Sequence, residues 1–539
     1  KAVAWLLRYP EEFHRKIYVH DALNAAAEGE ARAEALARGE APWREDRGRV
    51  ARAYRSRIDG SVQPYIVHVP AGYDGARPAR LDVVLHGRNA RLNELSFVTS
   101  AARPRPGTAE PGHLALEVYG RTNNAYRWAG EIDVLEAFEA VRRDFTVDED
   151  RVVLRGFSMG GAGTWNIGLR RPDRWAAIEA GAGFTDTLVY AEKSLPSPLP
   201  SWHRAAMGYY DAVAYAANAR LLPTVGYGGE DDPQLQAAAN IRLALERDGA
   251  VFRPDGLDFV TDSLRALFLV GPKTGHRFHP ESKRRSDEFL DEAVARGRST
   301  PRRVRFVTRT TAAPEAWWAR IDGLERHYEA TEIDIERSNR DIRATTRNVS
   351  RLVLADAGAV EQVVIDGKAL DVPPQHGSQV FLRRDGREWR LAPSLAALRG
   401  DGLVKRPGLQ GPIDDAFVSR FLVVEPTGEP WNAAAGRAAA ARLERFRREF
   451  PKWLRGDIPV KKDTEVSEAD IAGANLILFG DPGSNALLAR MAEQLPIEWT
   501  RDRFRLGGKS YRSAERLPVL VYPNPLNPDR YVVVNSGHT

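Results

Sequence analysis

Residues 151–165 read RVVLRGFSMGGAGTW. The β-branched run RVVL leads into Gly156-Phe157-Ser158-Met159-Gly160, and a helix-compatible segment follows. A serine with glycine two residues before and two after it, set between a strand and a helix, fits a sharp turn that holds its hydroxyl at the edge of a sheet. Side chains at the two flanking positions would have no room in such a turn. The same five residues also occur in ordinary turns, so their surroundings decide the reading.

Outward from this turn, strand-like runs alternate with helical ones. Residues 65–69, 81–85, 151–157, 222–227 and 266–270 read as strands, and 132–143, the stretch after Met159, 236–247 and 280–296 as helices. This alternation predicts βαβ units and a mostly parallel sheet flanked by helices, expected over 61–300. Residues 1–60 are rich in Ala, Glu, Arg and Leu, with helical spacing over 22–37, and predict a helical N-terminal segment. Beyond Pro301, short runs at 304–310, 342–346, 351–354, 362–365 and 380–383 predict an antiparallel β-sandwich over 301–404. The connector KRPGLQGPIDD (405–415) opens a helix, strand, helix, strand pattern, expected as a small α/β domain over 405–539. No period of about 20 to 50 residues recurs, so blades and solenoids are not expected.

A chain of 539 residues calls for two to four domains of this kind. Hydrophobic residues at 43% and charged residues at 28% fit a globular protein and neither a disordered nor a fibrous one. The absence of cysteine excludes disulfides, thiolate zinc sites and cysteine nucleophiles. Lys and Arg total 78 against 73 Asp and Glu, and these charges are interspersed, so no nucleic-acid partner is expected. Apolar runs fall far short of the roughly 18 residues of a spanning helix, and no membrane partner is expected. The chain starts at Lys1, not Met, which raises the expectation of a removed leader and of a secreted or periplasmic protein. Nothing in the residues demands a metal or cofactor.

Two further loops follow strand-like runs in the order that a serine, acid, histidine relay requires. After residues 222–227 comes GGEDDP, where Asp232, followed by Pro233, is the preferred acid; Asp231 and Glu230 stay open as alternatives. After 266–270 comes GPKTGHRFHP, where His276 is placed to act as base and His279 to start the next helix beside Pro280. Two backbone amides are needed to hold a developing oxyanion. Met159 supplies one, and Arg88, after His86-Gly87, the other; His86 itself reads as structural. With these parts Ser158 would attack an acyl carbon, His276 would take its proton, and water would later release the acyl group.

These phrases resemble those of bacterial multidomain prolyl-oligopeptidase-like serine hydrolases of the α/β-hydrolase superfamily, whose relatives include feruloyl esterases and other carbohydrate esterases. The resemblance covers roughly residues 65–296, on His86-Gly87, GFSMGGAGTW, GGEDDP and GHRFHP; YRSRIDGSVQPY and GPIDDAF are similar to phrases of large members. It implies an α/β-hydrolase domain with Ser158, Asp232 and His276 as triad and Arg88 and Met159 as oxyanion donors. It implies no activity for the C-terminal domains. Oligopeptidases of this fold usually carry a β-propeller, and the short helical stretch before the hydrolase domain is unlike one. The expectation is therefore a carboxylic ester, feruloyl or acetyl esters of plant polysaccharide first, with a peptidase and a non-catalytic binding module as alternatives.

Residues 120–134, GRTNNAYRWAGEIDV, hold Asn123, Tyr126, Arg127, Trp128 and Glu131, a polar and aromatic set expected to line the substrate pocket. The bland reading makes the aromatics core residues and Arg127 with Glu131 a surface pair. Trp317, Trp318 and Trp389 offer a platform for a sugar ring, with core packing the stronger expectation. The glycosylation-type triplet Asn348-Val349-Ser350 carries no weight.

Overall fold

The computed structural model describes residues 1–103, 111–191, 195, 197–374 and 377–538. The chain forms two compact units. One comprises Lys1–Ala53, Pro64–Arg127 and Val134–Pro407, the other Tyr54–Gln63, Trp128–Asp133 and Gly408–Thr539.

A ten-stranded sheet organises the first unit: β1 (Gly48–Arg55), β2 (Val62–Val69), β3 (Ala79–Leu85), β4 (Leu114–Val118), β5 (Val147–Phe157), β6 (Ala177–Gly181), β7 (Thr224–Gly229), β8 (Arg253–Asp255), β9 (Asp258–Val260) and β10 (Ala266–Gly271). Their order is β1-β2-β4-β3-β5-β6-β7-β10-β9-β8. The six strands from β4 to β10 in that order pair in parallel, and antiparallel pairs flank them. Parallel strands are covered on both faces, which is why every residue of β6 and β7 is buried.

Helices α1 (Ala2–Arg8) and α2 (Ile17–Ala37) form the expected helical start. The segment expected to be helical over 1–60 nevertheless contains β1. Val50 and Tyr54 are its buried positions, and sheet pairing overrides the helical leaning of its Ala and Arg residues. The remaining helices are α3 (Glu94–Thr99), α4 (Ala129–Asp144), α5 (Met159–Arg170), α6 (Thr187–Ala191), α7 (Ser201–Met207), α8 (Leu235–Arg247) and α9 (Pro280–Arg296). Helix α9 sets Leu290, Ala293 and Val294, at helical spacing, against Val153, Ala177, Val225 and Leu269 of the sheet. Each fully buried leucine or valine of this contact contributes about 1.5–3 kcal/mol.

Beside this apolar contact the central strands carry a charged cluster. Arg155 on β5 bonds Asp82 of β3 (3.0 Å), Glu179 of β6 and Asp287 of α9 (2.9 Å), and Arg80 bonds Asp82 at 2.7 Å. Burial alone would push the Asp82 carboxyl up, but the His113 ring and the charges of Arg155 and Arg80 hold it well below the usual carboxylate range. The cluster satisfies its own charges, as buried ions must.

Beyond Pro301 ten strands between Arg303 and Ala392 form two five-stranded sheets. In Thr331–Arg337 the buried positions alternate, Thr331, Ile333 and Ile335, and these isoleucines meet Phe306, Ile321 and Leu352 in one core. Trp318 and Trp389 lie inside that core, each 2% exposed, with their ring N–H groups donating to Pro301 O and Asp366 Oδ2. Neither offers a face to a sugar ring. Asn348 is buried too, donating to Arg326 O and Thr331 Oγ1.

The second unit has its own five-stranded sheet, with Phe421–Glu425, Asn475–Leu478 and Asn527–Val534 in parallel at its centre. Asn432 caps the helix Ala433–Leu454, whose Leu443, Phe446, Phe450 and Leu454 form a stripe against Phe421, Val423, Ile477 and Val533. Ile58 and Ala129, far away in sequence, complete that core. Among the described residues no helix is long and apolar enough to cross a membrane.

Candidate active site

Strand β5 ends at Phe157 and α5 begins at Met159, so Ser158 must reverse the chain by itself. Its φ of 59° is one that side-chain-bearing residues rarely adopt. The turn survives because its neighbours are glycines: a Cβ on Gly160 would lie 2.0 Å from Leu85 O, and one on Gly156 2.4 Å from Gly160 C. The Ser158 amide donates to Gly181 O at 2.8 Å, anchoring the turn to β6.

His276 lies on the loop between β10 and α9. Its Nε2 is 2.9 Å from Ser158 Oγ, and its Nδ1 is 2.8 Å from Asp232 Oδ2 on the loop after β7. With the ring proton on Nδ1 facing the carboxylate, Nε2 is free to accept from the serine hydroxyl. Asp232 is buried, and its second oxygen accepts the Gln234 amide at 2.9 Å. Of the two other carboxylates weighed from sequence, Asp231 is exposed and Glu230 accepts the Lys273 amide (2.8 Å). His279 caps α9.

Two aromatic residues that the sequence reading did not single out pack against the His276 loop. The Phe157 ring lies 4.9 Å from the His276 ring. Tyr227 donates to Arg277 O (2.7 Å) and accepts from the His279 amide (2.8 Å), gripping the loop on both sides of Phe278, which stacks on it. Phe157 was within reach, since it precedes the serine; Tyr227 gave no signal beyond that of a strand residue.

The loop after β3 runs against the serine. A Cβ on Gly87 would lie 3.4 Å from both Phe157 O and Ser158 Cβ. Met159 is the first residue of α5, where amides have no carbonyl within the helix to bond. His86 has the carbonyls of Gly87 (2.8 Å) and Tyr119 (2.9 Å) at its ring nitrogens, and burial pushes its pKa down.

The loop 120–128 is unusually strained. Arg121, Thr122, Ala125, Tyr126 and Trp128 all have positive φ, each costing on the order of 1–3 kcal/mol. Asn123 ties it to the loop after β3, with its side chain bonded to both the N–H and the C=O of Asn89 (2.9 Å each). Tyr126 was expected to line a pocket, but it is fully buried and donates to His86 O at 3.1 Å. A ring with no exposed surface supports the loop instead of facing a substrate. Trp128 and Glu131 fold with the second unit, where Trp128 meets His538 edge to face at 5.5 Å. Glu131 is buried and so is not half of a surface pair with Arg127. Arg127 stacks on Phe184 and Tyr210 and bonds Thr187. Among the described residues no group of three or more His, Cys, Asp or Glu is arranged to hold a metal ion.

Serine, acid and histidine thus meet at the carboxyl ends of β5, β7 and β10, the edge where open α/β sheets bind ligands. Residues 121–293 match the model of the prolyl oligopeptidase family. A search of curated proteins finds no match. Among solved structures, a ferulic acid esterase is similar at 16% identity, over 46% of this chain and 98% of that one, with a TM-score of 0.32. A Mycobacterium tuberculosis puromycin-hydrolyzing peptidase aligns at 21% identity over 45% of this chain, which spans only 39% of that protein, with a TM-score of 0.32. An S-formylglutathione hydrolase from Agrobacterium tumefaciens aligns at 18% over 46% of this chain and 94% of that one, with a TM-score of 0.33. The fold is that of the α/β-hydrolases, on the strand order and the placing of the loops described above.

Proposed function

We propose that this chain is a serine hydrolase that cleaves a carboxylic ester. What carries the reading is one relay: Ser158 Oγ, His276 and Asp232 in hydrogen-bond contact, with the serine on a strained turn. Ser158 attacks the acyl carbon as His276 Nε2 takes its proton, and Asp232 holds the ring and stabilises its positive charge. The amides of Arg88 and Met159 receive the oxyanion. His276 then gives its proton to the leaving alkoxide, and water, deprotonated by the same nitrogen, releases the acid and restores Ser158. The His276 side chain is 43% exposed, so water and a bulky alcohol both have access.

The resemblance in sequence to carbohydrate esterases supports feruloyl or acetyl esters of plant polysaccharide as substrates. Peptide hydrolysis is the second reading, favoured by the match of residues 121–293 to the prolyl oligopeptidase family. Wild type and Ser158→Ala, compared on methyl ferulate, a short-chain nitrophenyl ester and a proline-containing peptide anilide, separate the two. Ester cleavage by wild type alone is expected; cleavage of the anilide alone would make the protein a peptidase. Failure of a fluorophosphonate to label Ser158 would overturn both.

A further inference from the structure

Arg127 is a half-buried cation in search of an anion. Its guanidinium carbon lies 5.3 Å from the ring centres of both Phe184 and Tyr210. One terminal nitrogen donates to Thr187 Oγ1 at 2.8 Å. A guanidinium has five N–H donors, so most remain for another partner. Among the described residues no carboxylate lies within ion-pair distance of it. Asp211, which faces the same region, is held by the Thr187 amide at 2.7 Å, and Arg170 brings a second positive charge to 5.4 Å from the Tyr210 ring. Burial therefore pushes the Arg127 pKa down. Arg155, by contrast, is matched by three carboxylates. A cation largely withdrawn from water with no carboxylate in contact is costly, and that cost is recovered when a ligand brings the charge.

The position suits a substrate. Tyr126, just before Arg127, packs on the first turns of α5, where a Cβ on Gly163 would lie 2.5 Å from its ring. Gly183, just before Phe184, packs on the same helix, where its own Cβ would lie 2.5 Å from Ala162 N. The residues just before Arg127 and Phe184 are thus both anchored on the first turns of α5, the helix that begins after Ser158.

We propose that Arg127, walled by Phe184 and Tyr210, receives a carboxylate of the substrate, so that the protein acts on acidic esters. That the bond cleaved is an ester rests on the reading above; the anion seat does not. The carboxylate has two possible sources, the acyl group or the alcohol. Nitrophenyl hemisuccinate against nitrophenyl butyrate tests the first, and 4-acetoxybenzoate against 4-acetoxybenzamide the second. In at least one pair wild type is expected to favour the acid, and Arg127→Met to lower the acid-to-neutral ratio of kcat/KM about tenfold or more. Should Arg127→Met fail to fold by circular dichroism, Arg127→Lys, which keeps the charge but not the planar fork, is expected to lower the ratio several-fold. Ratios unchanged by these substitutions in both pairs would overturn the proposal. Titration of succinate and of 4-hydroxybenzoate into Ser158→Ala supplies a readout free of turnover. Saturable binding of either, weakened about tenfold by adding Arg127→Met, supports the seat even if Ser158 proves not to be a nucleophile, and no binding of either sinks it.

Discussion

Asn218 and Val307 close a ring of two hydrogen bonds: the Asn218 amide group donates to Val307 O and accepts from Val307 N, both at 2.8 Å. The same Asn218 nitrogen donates to Leu169 O, near the end of α5, also at 2.8 Å. One fully buried side chain thus satisfies backbone groups of the helix that begins after Ser158 and of the first strand of the sandwich. Asn218→Leu would leave three backbone groups buried and unpaired, at about 1–3 kcal/mol each. A loss of roughly 3–5 kcal/mol in urea denaturation is expected, and a change under 1 kcal/mol would show that the packing of α5 on the first sandwich strand does not depend on the ring.

The relay makes a prediction that separates three neighbouring carboxylates. Asp232→Asn is expected to reduce kcat by about 10³–10⁴, because an amide presents the wrong partner to Nδ1. Asp231→Asn should leave kcat within about twofold, as its side chain is exposed and away from the ring. Equal losses in the two variants, measured on any ester the wild type cleaves, would remove Asp232 from the role assigned to it.

Glycines near the serine differ sharply in what they tolerate. Gly160→Ala drives a methyl to 2.0 Å from Leu85 O, a backbone atom that cannot move without shifting β3. Loss of labelling by fluorophosphonate and destabilisation above about 3 kcal/mol are expected. Gly87→Ala places its methyl 3.4 Å from Phe157 O and Ser158 Cβ, close to an ordinary contact, and should cost below about 1 kcal/mol. A soluble, fully labelled Gly160→Ala protein would show that the turn relaxes more than its packing suggests.

Ser158, Asp232 and His276, the members of the proposed relay, could be picked out together because each follows an apolar strand, and the order of strand, loop and helix survives in sequence. The sheets beyond Pro301 could be read from short β-branched runs such as RLVL (351–354) and QVVI (362–365), whereas TEIDIER (331–337), whose Thr331, Ile333 and Ile335 are its buried positions, was not singled out. Strand β6 was not either, since AIEAG holds a single β-branched residue and becomes a strand only by pairing with β5 and β7. Tyr126 misled for the same physical reason. Its partner, His86 O, is 40 residues away, and no local pattern distinguishes a buried tyrosine with a distant acceptor from one facing a ligand. The inclusion of residues 54–63 and 128–133 in the second unit also depends on contacts remote in sequence.

His327, in the β-sandwich, gives the protein an acid-sensitive site. Burial first, then the charges of Lys405 and Arg351, push its pKa down to about 4 from an ordinary value of about 6.5. Above about pH 6.5 the imidazole is neutral in both folded and unfolded chains, and it contributes no pH dependence. Between about pH 6.5 and 4 the unfolded chain takes up a proton that the folded chain refuses, so stability falls as the pH falls. Below about pH 4 both states are protonated and the loss levels off. The full effect is roughly 2–3 kcal/mol at most. His327→Gln, which cannot titrate, is expected to flatten the stability curve over that window by this amount while leaving its course above pH 7 unchanged. Denaturation midpoints of the two proteins at pH 7.5, 5.5 and 4 measure the difference directly, and parallel curves would show that the folded protein admits the proton on His327 as easily as water does.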